Sequence, residues 1–248
     1  MFKLKQEVGA REIEQREKDF IERAMLRFEA CPELEVLGNT EADRLAIISL
    51  RFKHGNKDLH YGFVASLLND LFGIQVRGGC SCAGPYAHSL LGMSRDYSKA
   101  IEAAVEQGTM ILRPGWLRLN FNYFIAEPEF EYLLRAVELV AQHGWRLLPY
   151  YHFDPAASVW RFQGQAKPAL GSLPQTLADY MDSSNTADHP TFDLATLAKQ
   201  AESELCKADR KGTRSRLELG AENEDLRWFL LPQEASAMLE LMTAPKLV

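Results

Sequence analysis

The first part of the chain alternates between helix-like and strand-like patterns of apolar residues. Between Glu12 and Phe28 apolar residues recur at helical spacing among many Glu, Lys and Arg residues, which predicts an amphipathic helix that Pro32 ends. A short strand is predicted at 35–37. The run 44–52 is rich in β-branched and other apolar residues, which is typical of a strand inside a sheet.

The same alternation continues up to residue 148. Helical spacing of apolar residues predicts three further helices, and short apolar runs predict two further strands. The helices are predicted over 59–72, 94–107 and about 127–143, and the strands over 74–77 and 116–121. Gly73 is the expected stop of the first of these helices. Helices and strands that alternate over about 140 residues predict an α/β sandwich.

The pattern changes after residue 148. A small hairpin is predicted over 150–162, and Pro, Gly and Ser then become frequent. Helices are predicted over 194–208 and 233–243, joined by mobile linkers, and the segment 182–190 is predicted to be disordered.

Charge separates the same two regions. From Gly171 onward there are 13 acidic and 8 basic residues, so nearly all of the net charge of −6 lies there. We therefore predict an α/β domain over 1–148, in which 1–30 form a linking helix, and an acidic, partly disordered extension over 149–248.

Composition narrows the class of protein. The 248 residues are 46% hydrophobic and 25% charged, as in ordinary globular proteins. No stretch approaches the roughly 20 apolar residues of a membrane span, and the N-terminal residues lack the apolar core of a signal peptide, so we expect a cytoplasmic protein. The net charge gives no general reason to expect nucleic acid or an anionic membrane as a partner.

Residues Arg77 to Pro85, Arg-Gly-Gly-Cys-Ser-Cys-Ala-Gly-Pro, place two thiols in a glycine-rich turn. Positive potential from Arg77 and from a following helix would stabilise a thiolate, which favours a nucleophile. Tight packing of small residues is the competing interpretation. A zinc site on Cys80, Cys82 and His88 lacks a fourth ligand nearby, and one intervening residue is not the spacing of a redox pair.

Arg118 is a charged residue inside an apolar strand. Its planar guanidinium suits a carboxylate, which is either that of a substrate or that of an internal Glu or Asp. Asn120 and Asn122 follow at alternate positions, so the three side chains are expected to share one face. His60 and Tyr61 are expected to form a partly exposed pair at a helix start.

At these residues the sequence resembles the C-terminal part of the class V aminotransferase family, the pyridoxal-phosphate enzymes that include cysteine desulfurases and selenocysteine lyases. The likeness spans about 2–148. In that branch a strand ending in Arg-x-Gly is followed, after two residues that are commonly His-His, by the catalytic Cys, then Ala and Pro. Cys82 falls on this nucleophile, with Cys80 and Ser81 in place of the His pair. Arg118 falls on the arginine that binds the substrate α-carboxylate.

The resemblance implies the small C-terminal domain of a fold-type-I enzyme, with a mostly helical or irregular extension. It implies Cys82 as candidate nucleophile and Arg118 as the residue that binds the substrate carboxylate. Arg77 and Asn120 are further candidate substrate-binding residues, and His88 is a weak candidate for proton transfer. In a transaminase, Cys82 would have no role. The complete enzyme would act on an amino acid, use pyridoxal 5′-phosphate and form a homodimer.

The resemblance also implies a large N-terminal domain with the Schiff-base lysine, which this chain is expected to lack. None of the eleven lysines follows the kind of strand that positions it. We therefore expect no covalently bound cofactor and no activity from this chain alone. The alternative function is a non-catalytic binding or assembly module with the small-domain fold, and a thiol-based metal or redox protein is a third.

Overall fold

An antiparallel sheet organises the first part of the chain. A computed structural model describes residues 2–80, 84–164, 193–207 and 212–243. The strands run in the order β1-β2-β5-β4, and β3 forms a hairpin with β2. Their bounds are Leu34–Val36 for β1, Ile47–His54 for β2, Lys57–Asp58 for β3, Arg77–Gly79 for β4 and Trp116–Asn120 for β5. A separate hairpin pairs β6, Tyr151–Asp154, with β7, Val159–Phe162.

Helices surround this sheet, which confirms the predicted mixed α/β class. Their bounds are Phe2–Val8 for α1, Ala10–Glu29 for α2, Tyr61–Phe72 for α3, Gly84–Leu90 for α4, Arg95–Glu106 for α5, Glu127–His143 for α6, Leu194–Cys206 for α7, Ala221–Glu224 for α8 and Pro232–Thr243 for α9. Short 3₁₀ helices span Met110–Leu112 and Gly144–Tyr150. Among the residues described, no helix is both long and apolar enough to span a membrane.

One face of the sheet forms the main core. Ile48 and Leu50 of β2 and Leu117 of β5 are completely buried there, and they belong to one apolar cluster with α2, α3 and α6. Alternation along the strands sends the neighbouring side chains to the opposite face. Burial of this large apolar area is the main force that holds helices and sheet together.

Most predicted elements are present, and the prediction of a strand over 74–77 is wrong. Gly73 does end α3, with φ of 67°, but the amide of Ile74 donates to Leu68 O of the same helix at 3.1 Å. Its side chain is buried in the core. The backbone here completes the helix cap, and the strand starts only at Arg77.

The described parts of the extension pack into the same core. Trp160, Leu205 and Phe229, which come from β7, α7 and the segment before α9, are at most 3% exposed. All three belong to the main apolar cluster. The predicted helices over 194–208 and 233–243 correspond to α7 and α9. The predicted disorder of 182–190 lies outside the described residues, and the division into two domains at residue 148 stays a prediction.

Candidate functional site

Two arginines lie directly opposite each other on adjacent strands. Arg77 of the edge strand β4 pairs with Arg118 of β5, which in turn pairs with Ser49 of β2. Side chains of directly opposed residues point to the same face of a sheet, with Cβ atoms about 4.5–5.5 Å apart. This face is opposite the main core. We call Ser49, Arg118 and Arg77 the arginine row.

The side chain of neither arginine has a hydrogen bond or an ion pair to any residue that the structure describes. Arg51, one step along the same face, is different. Its Nε lies 2.8 Å from Asp58 Oδ2, and its Nη1 lies 3.1 Å from Glu35 Oε2. The internal Glu or Asp that could have explained a charged residue inside β5 is therefore not found near Arg118 within the described ranges.

The electrostatic consequence of this row is a local excess of positive charge. Like charges directly opposite each other on a sheet are destabilising. Arg118 is half-buried, so solvent screens its charge less than that of a fully exposed side chain. An anion bound on this face would remove the repulsion, and guanidinium groups bind carboxylates through paired hydrogen bonds.

The amides at and after the end of β5 lie close together. Asn120 is exposed, and its Nδ2 donates to Asn122 Oδ1 at 3.2 Å. Asn120 is opposite Ile47 in the register, one step from the Arg118 and Ser49 pair. It therefore extends the polar face beyond the arginine row.

The predicted thiol site is only partly described. Cys82 lies outside the described residues. Cys80 is half-buried beside Trp116 and Ala87 in a small apolar cluster on the arginine face. Burial, with a contribution from Glu33, raises the pKa of the Cys31 thiol to about 11, which makes that thiol unreactive near neutral pH.

His88 lies in the last turn of α4 and faces another helix. Its Nδ1 is 3.9 Å from Glu102 Oε1 of α5. No hydrogen bond or ion pair joins it to the arginine row within the part of the chain that is described. The described ranges also contain no group of three or more metal-ligating residues. The role of His88 in proton transfer stays a prediction.

The expectation of a partly exposed pair at the start of α3 is wrong for His60. This residue caps the helix, and its side chain is 4% exposed. Its Nδ1 accepts from Gly62 N at 3.0 Å and from Trp160 Nε1 at 3.2 Å, while Nε2 lies 3.2 Å from Ile111 O. Trp160 comes from the extension, about 100 positions later in the chain, so the helix pattern alone could not reveal this burial.

Tyr61 supports the strands that carry the arginine row. A Cβ atom placed on Gly78 would lie 2.7 Å from the ring of Tyr61, and so would one on Gly115. The ring also stacks on Trp228, with the two rings 9° from parallel and their centroids 6.1 Å apart. Burial raises the pKa of the Tyr61 hydroxyl. The ring is thus a spacer between the extension and the two glycines.

Gly115→Ala tests how tightly this region is packed. The new methyl group would lie 2.7 Å from backbone atoms of Gly79 as well as from Tyr61, so backbone must move. We expect a loss of about 1–3 kcal/mol in the free energy of unfolding, measured by urea titration. Gly84→Ala is the matched control, because no atom lies within 4 Å of its added methyl group. Equal stability of both variants would contradict the close packing of Gly115 against Gly79 and Tyr61.

Sequence reasoning missed Ser49 and Arg51 as members of the arginine face. The signal was available, because both residues alternate with the buried Ile48 and Leu50 along β2. Their position beside β5 depended on strand pairing. The ladder between β2 and β5 joins residues about 70 positions apart, and a single-strand pattern does not specify that partner.

The described residues do not fit a pyridoxal-phosphate site. That cofactor needs a lysine for its Schiff base and an acidic partner for its ring nitrogen. Lys53, which lies on β2, pairs with Glu35 Oε2 at 3.1 Å, and Lys57 of β3 donates to Arg227 O at 2.6 Å. The other described lysines lie on helices or directly after α7. The arginine row fits the anionic part of a substrate.

One family model matches the first part of the chain. Curated proteins give no match to it. The family model described as Aminotransferase class-V matches residues 1–105, a range that includes Arg77 and His88 and ends before Arg118. Complete enzymes of this family use pyridoxal 5′-phosphate, so the match suggests an aminotransferase-like function. Over residues 1–105, the chain is similar to the class-V aminotransferase family.

Proposed function

We propose that this chain supplies the substrate-carboxylate-binding part of a pyridoxal-phosphate-dependent, class V aminotransferase-like enzyme that acts on an amino acid. The observation that carries the proposal is the position of Arg118 in the sheet. It is a half-buried arginine in the middle of a strand, opposite Arg77, and no described residue forms an ion pair with either side chain. The family match over 1–105 supports the reaction class, because it includes β4 and the segment after it.

Each site residue has a proposed task. Arg118 binds the α-carboxylate of the substrate through two parallel hydrogen bonds, which fixes the orientation of the amino acid. Arg77 adds positive charge at the same place. The exposed amide of Asn120 can donate to a substrate oxygen at the end of β5.

Two finer assignments depend on which branch of the family this is. In a desulfurase, the Cys82 thiolate would attack the sulfur of a substrate cysteine while the substrate C–S bond breaks, so that Cys82 becomes a persulfide. The substrate carbon would keep the electron pair of that bond and take up a proton, which gives alanine. In a transaminase, Cys82 would take no part in the reaction. His88 is proposed to transfer a proton only if its imidazole turns away from Glu102. In the structure, His88 Nδ1 lies 3.9 Å from Glu102 Oε1.

The remaining parts of the proposal concern the complete enzyme. We propose that the Schiff-base lysine and the cofactor belong to a further domain, that the complete enzyme is a cytoplasmic homodimer and that this chain alone is inactive. The described residues support the first point, because the lysines of the sheet already have partners.

Binding of an amino acid to Arg118 is the first test. We expect L-alanine to shift the Nε–H signal of Arg118 in a saturable way in nuclear magnetic resonance spectra of the purified chain. Ethylamine, which has no carboxylate, should cause no such shift. Weak binding is expected, because a single ion pair at a half-buried arginine contributes little more than the roughly 0.2–1 kcal/mol of an exposed pair.

Two variants make this test specific. Arg118→Gln should abolish the binding of L-alanine. Arg113→Gln should preserve it, since Arg113 is an exposed arginine before β5 and outside the row. An equal response to ethylamine, or unchanged binding by Arg118→Gln, would contradict the proposed role of Arg118.

A further inference from the structure

The arginine row contains two cationic side chains where one would hold an α-carboxylate. We propose that Arg77 binds a second acid group, so that the preferred substrates are amino acids with a carboxylate in the side chain. This inference rests on the proposed function, because it assumes that Arg118 holds the α-carboxylate. It goes beyond that function by naming the substrate class.

The number of hydrogen-bond donors on this face supports the proposal. A single carboxylate has two oxygens and is fully matched by one guanidinium fork. With Arg118 so occupied, Arg77 on the adjacent strand keeps its own fork and its full charge. The two side chains start from opposed positions, with Cβ atoms about 5 Å apart, a spacing that two carboxylates of one small molecule can match.

Within the described ranges, no acidic residue of the chain itself neutralises the arginine row. Ser49, on the other side of Arg118, is neutral. Arg51, on the same face of β2 as Ser49, already holds two carboxylates, since it contacts both Asp58 and Glu35. Asp58 is 6% exposed and bound to two nitrogens of Arg51, so it is not free to turn towards Arg77. The excess charge is therefore available to a ligand.

The positions of the two arginines explain why Arg118 would hold the α-carboxylate and Arg77 would select the side chain of the substrate. Arg118 is half-buried in the interior of β5, so its guanidinium has fewer available directions. Arg77 is exposed and begins the edge strand β4, so its long side chain can follow groups of different reach. A rigid anchor beside an adjustable cation suits an invariant α-carboxylate beside a variable second acid.

A comparison of L-glutamate with L-glutamine tests the proposal on the purified chain. The two molecules have the same shape and differ in the charge of the side chain. Dissociation constants are measured from nuclear magnetic resonance titrations of the arginine Nε–H signals. We expect L-glutamate to bind about fivefold more tightly than L-glutamine, which corresponds to about 1 kcal/mol for an exposed charge pair.

Substitutions assign this preference to one side chain. Arg77→Gln should bind L-glutamate and L-glutamine with equal affinity, because the cation that favours the second carboxylate is lost. Arg118→Gln should weaken the binding of both. Arg113→Gln, with the same loss of charge outside the row, should keep the fivefold preference. Arg77 and Arg113 are exposed, so these variants are expected to fold.

The possible failures are distinguishable. If L-glutamine binds through Arg118 but L-glutamate binds no better, the inference about Arg77 is wrong and the proposed function stands. If neither amino acid binds, both are wrong. The inference would also be overturned if inorganic phosphate bound more tightly than L-glutamate and if Arg77→Gln weakened this binding of phosphate. Both arginines would then hold one anion.

Discussion

Phe229→Ala is expected to lower the free energy of unfolding by about 3–5 kcal/mol. The side chain is 0% exposed, and its ring lies edge-on to His60 with centroids 5.1 Å apart. The neighbouring backbone joins Asp58 through two hydrogen bonds, of 2.8 Å from Leu230 N and 3.1 Å to Trp228 O. Truncation would leave a cavity where the extension meets the sheet, and the fixed backbone limits its collapse.

Urea unfolding followed by tryptophan fluorescence and by circular dichroism measures this loss. Phe124→Ala is the matched control, because Phe124 is 70% exposed and its truncation should change stability by no more than about 0.5 kcal/mol. The two probes should report one cooperative transition. A separate, early transition with unchanged stability of the remaining protein would show instead that the extension unfolds as an independent unit.

The second large effect is a loss of stability at acidic pH that depends on His60. Burial lowers the pKa of His60 to about 3, with a smaller opposite contribution from its hydrogen bond to Ile111. In the unfolded chain the pKa is about 6.5. Between these values the unfolded state binds more protons, so stability falls as the pH decreases. At pH 5 the contribution of this group is a loss of about 2 kcal/mol.

His60→Gln isolates this contribution from the other histidines. The amide of Gln can still donate to Ile111 O, but it cannot be protonated in this pH range and loses the acceptor used by Gly62 and Trp160. The variant should therefore be less stable at pH 7.5. Its deficit relative to the natural protein should shrink by about 2 kcal/mol at pH 5.0, measured by urea unfolding at both values. A constant deficit would mean that His60 is not kept neutral by burial.

Local patterns were sufficient for most individual elements. The helix over 127–143 was predicted with both of its ends, and the hairpin after residue 148 and the helices α7 and α9 were close to their predicted positions. These elements have strong periodicity or turn residues within their own sequence, so nearby residues carry the information. The strand at 74–77 failed, because the backbone of Ile74 completes a helix cap instead of joining the sheet.

The sequence by itself determined the mixed α/β class and the residues with candidate chemistry, Arg77 and Arg118 among them. Only the tertiary structure decided that these two arginines lie opposite each other without a described acidic partner, while Arg51 beside them has two. It also decided that Trp160 and Phe229 of the extension enclose His60. The physical reason is the same in each case: strand pairing and burial join residues that are far apart in the chain, and side-chain periodicity within one segment does not specify the partner.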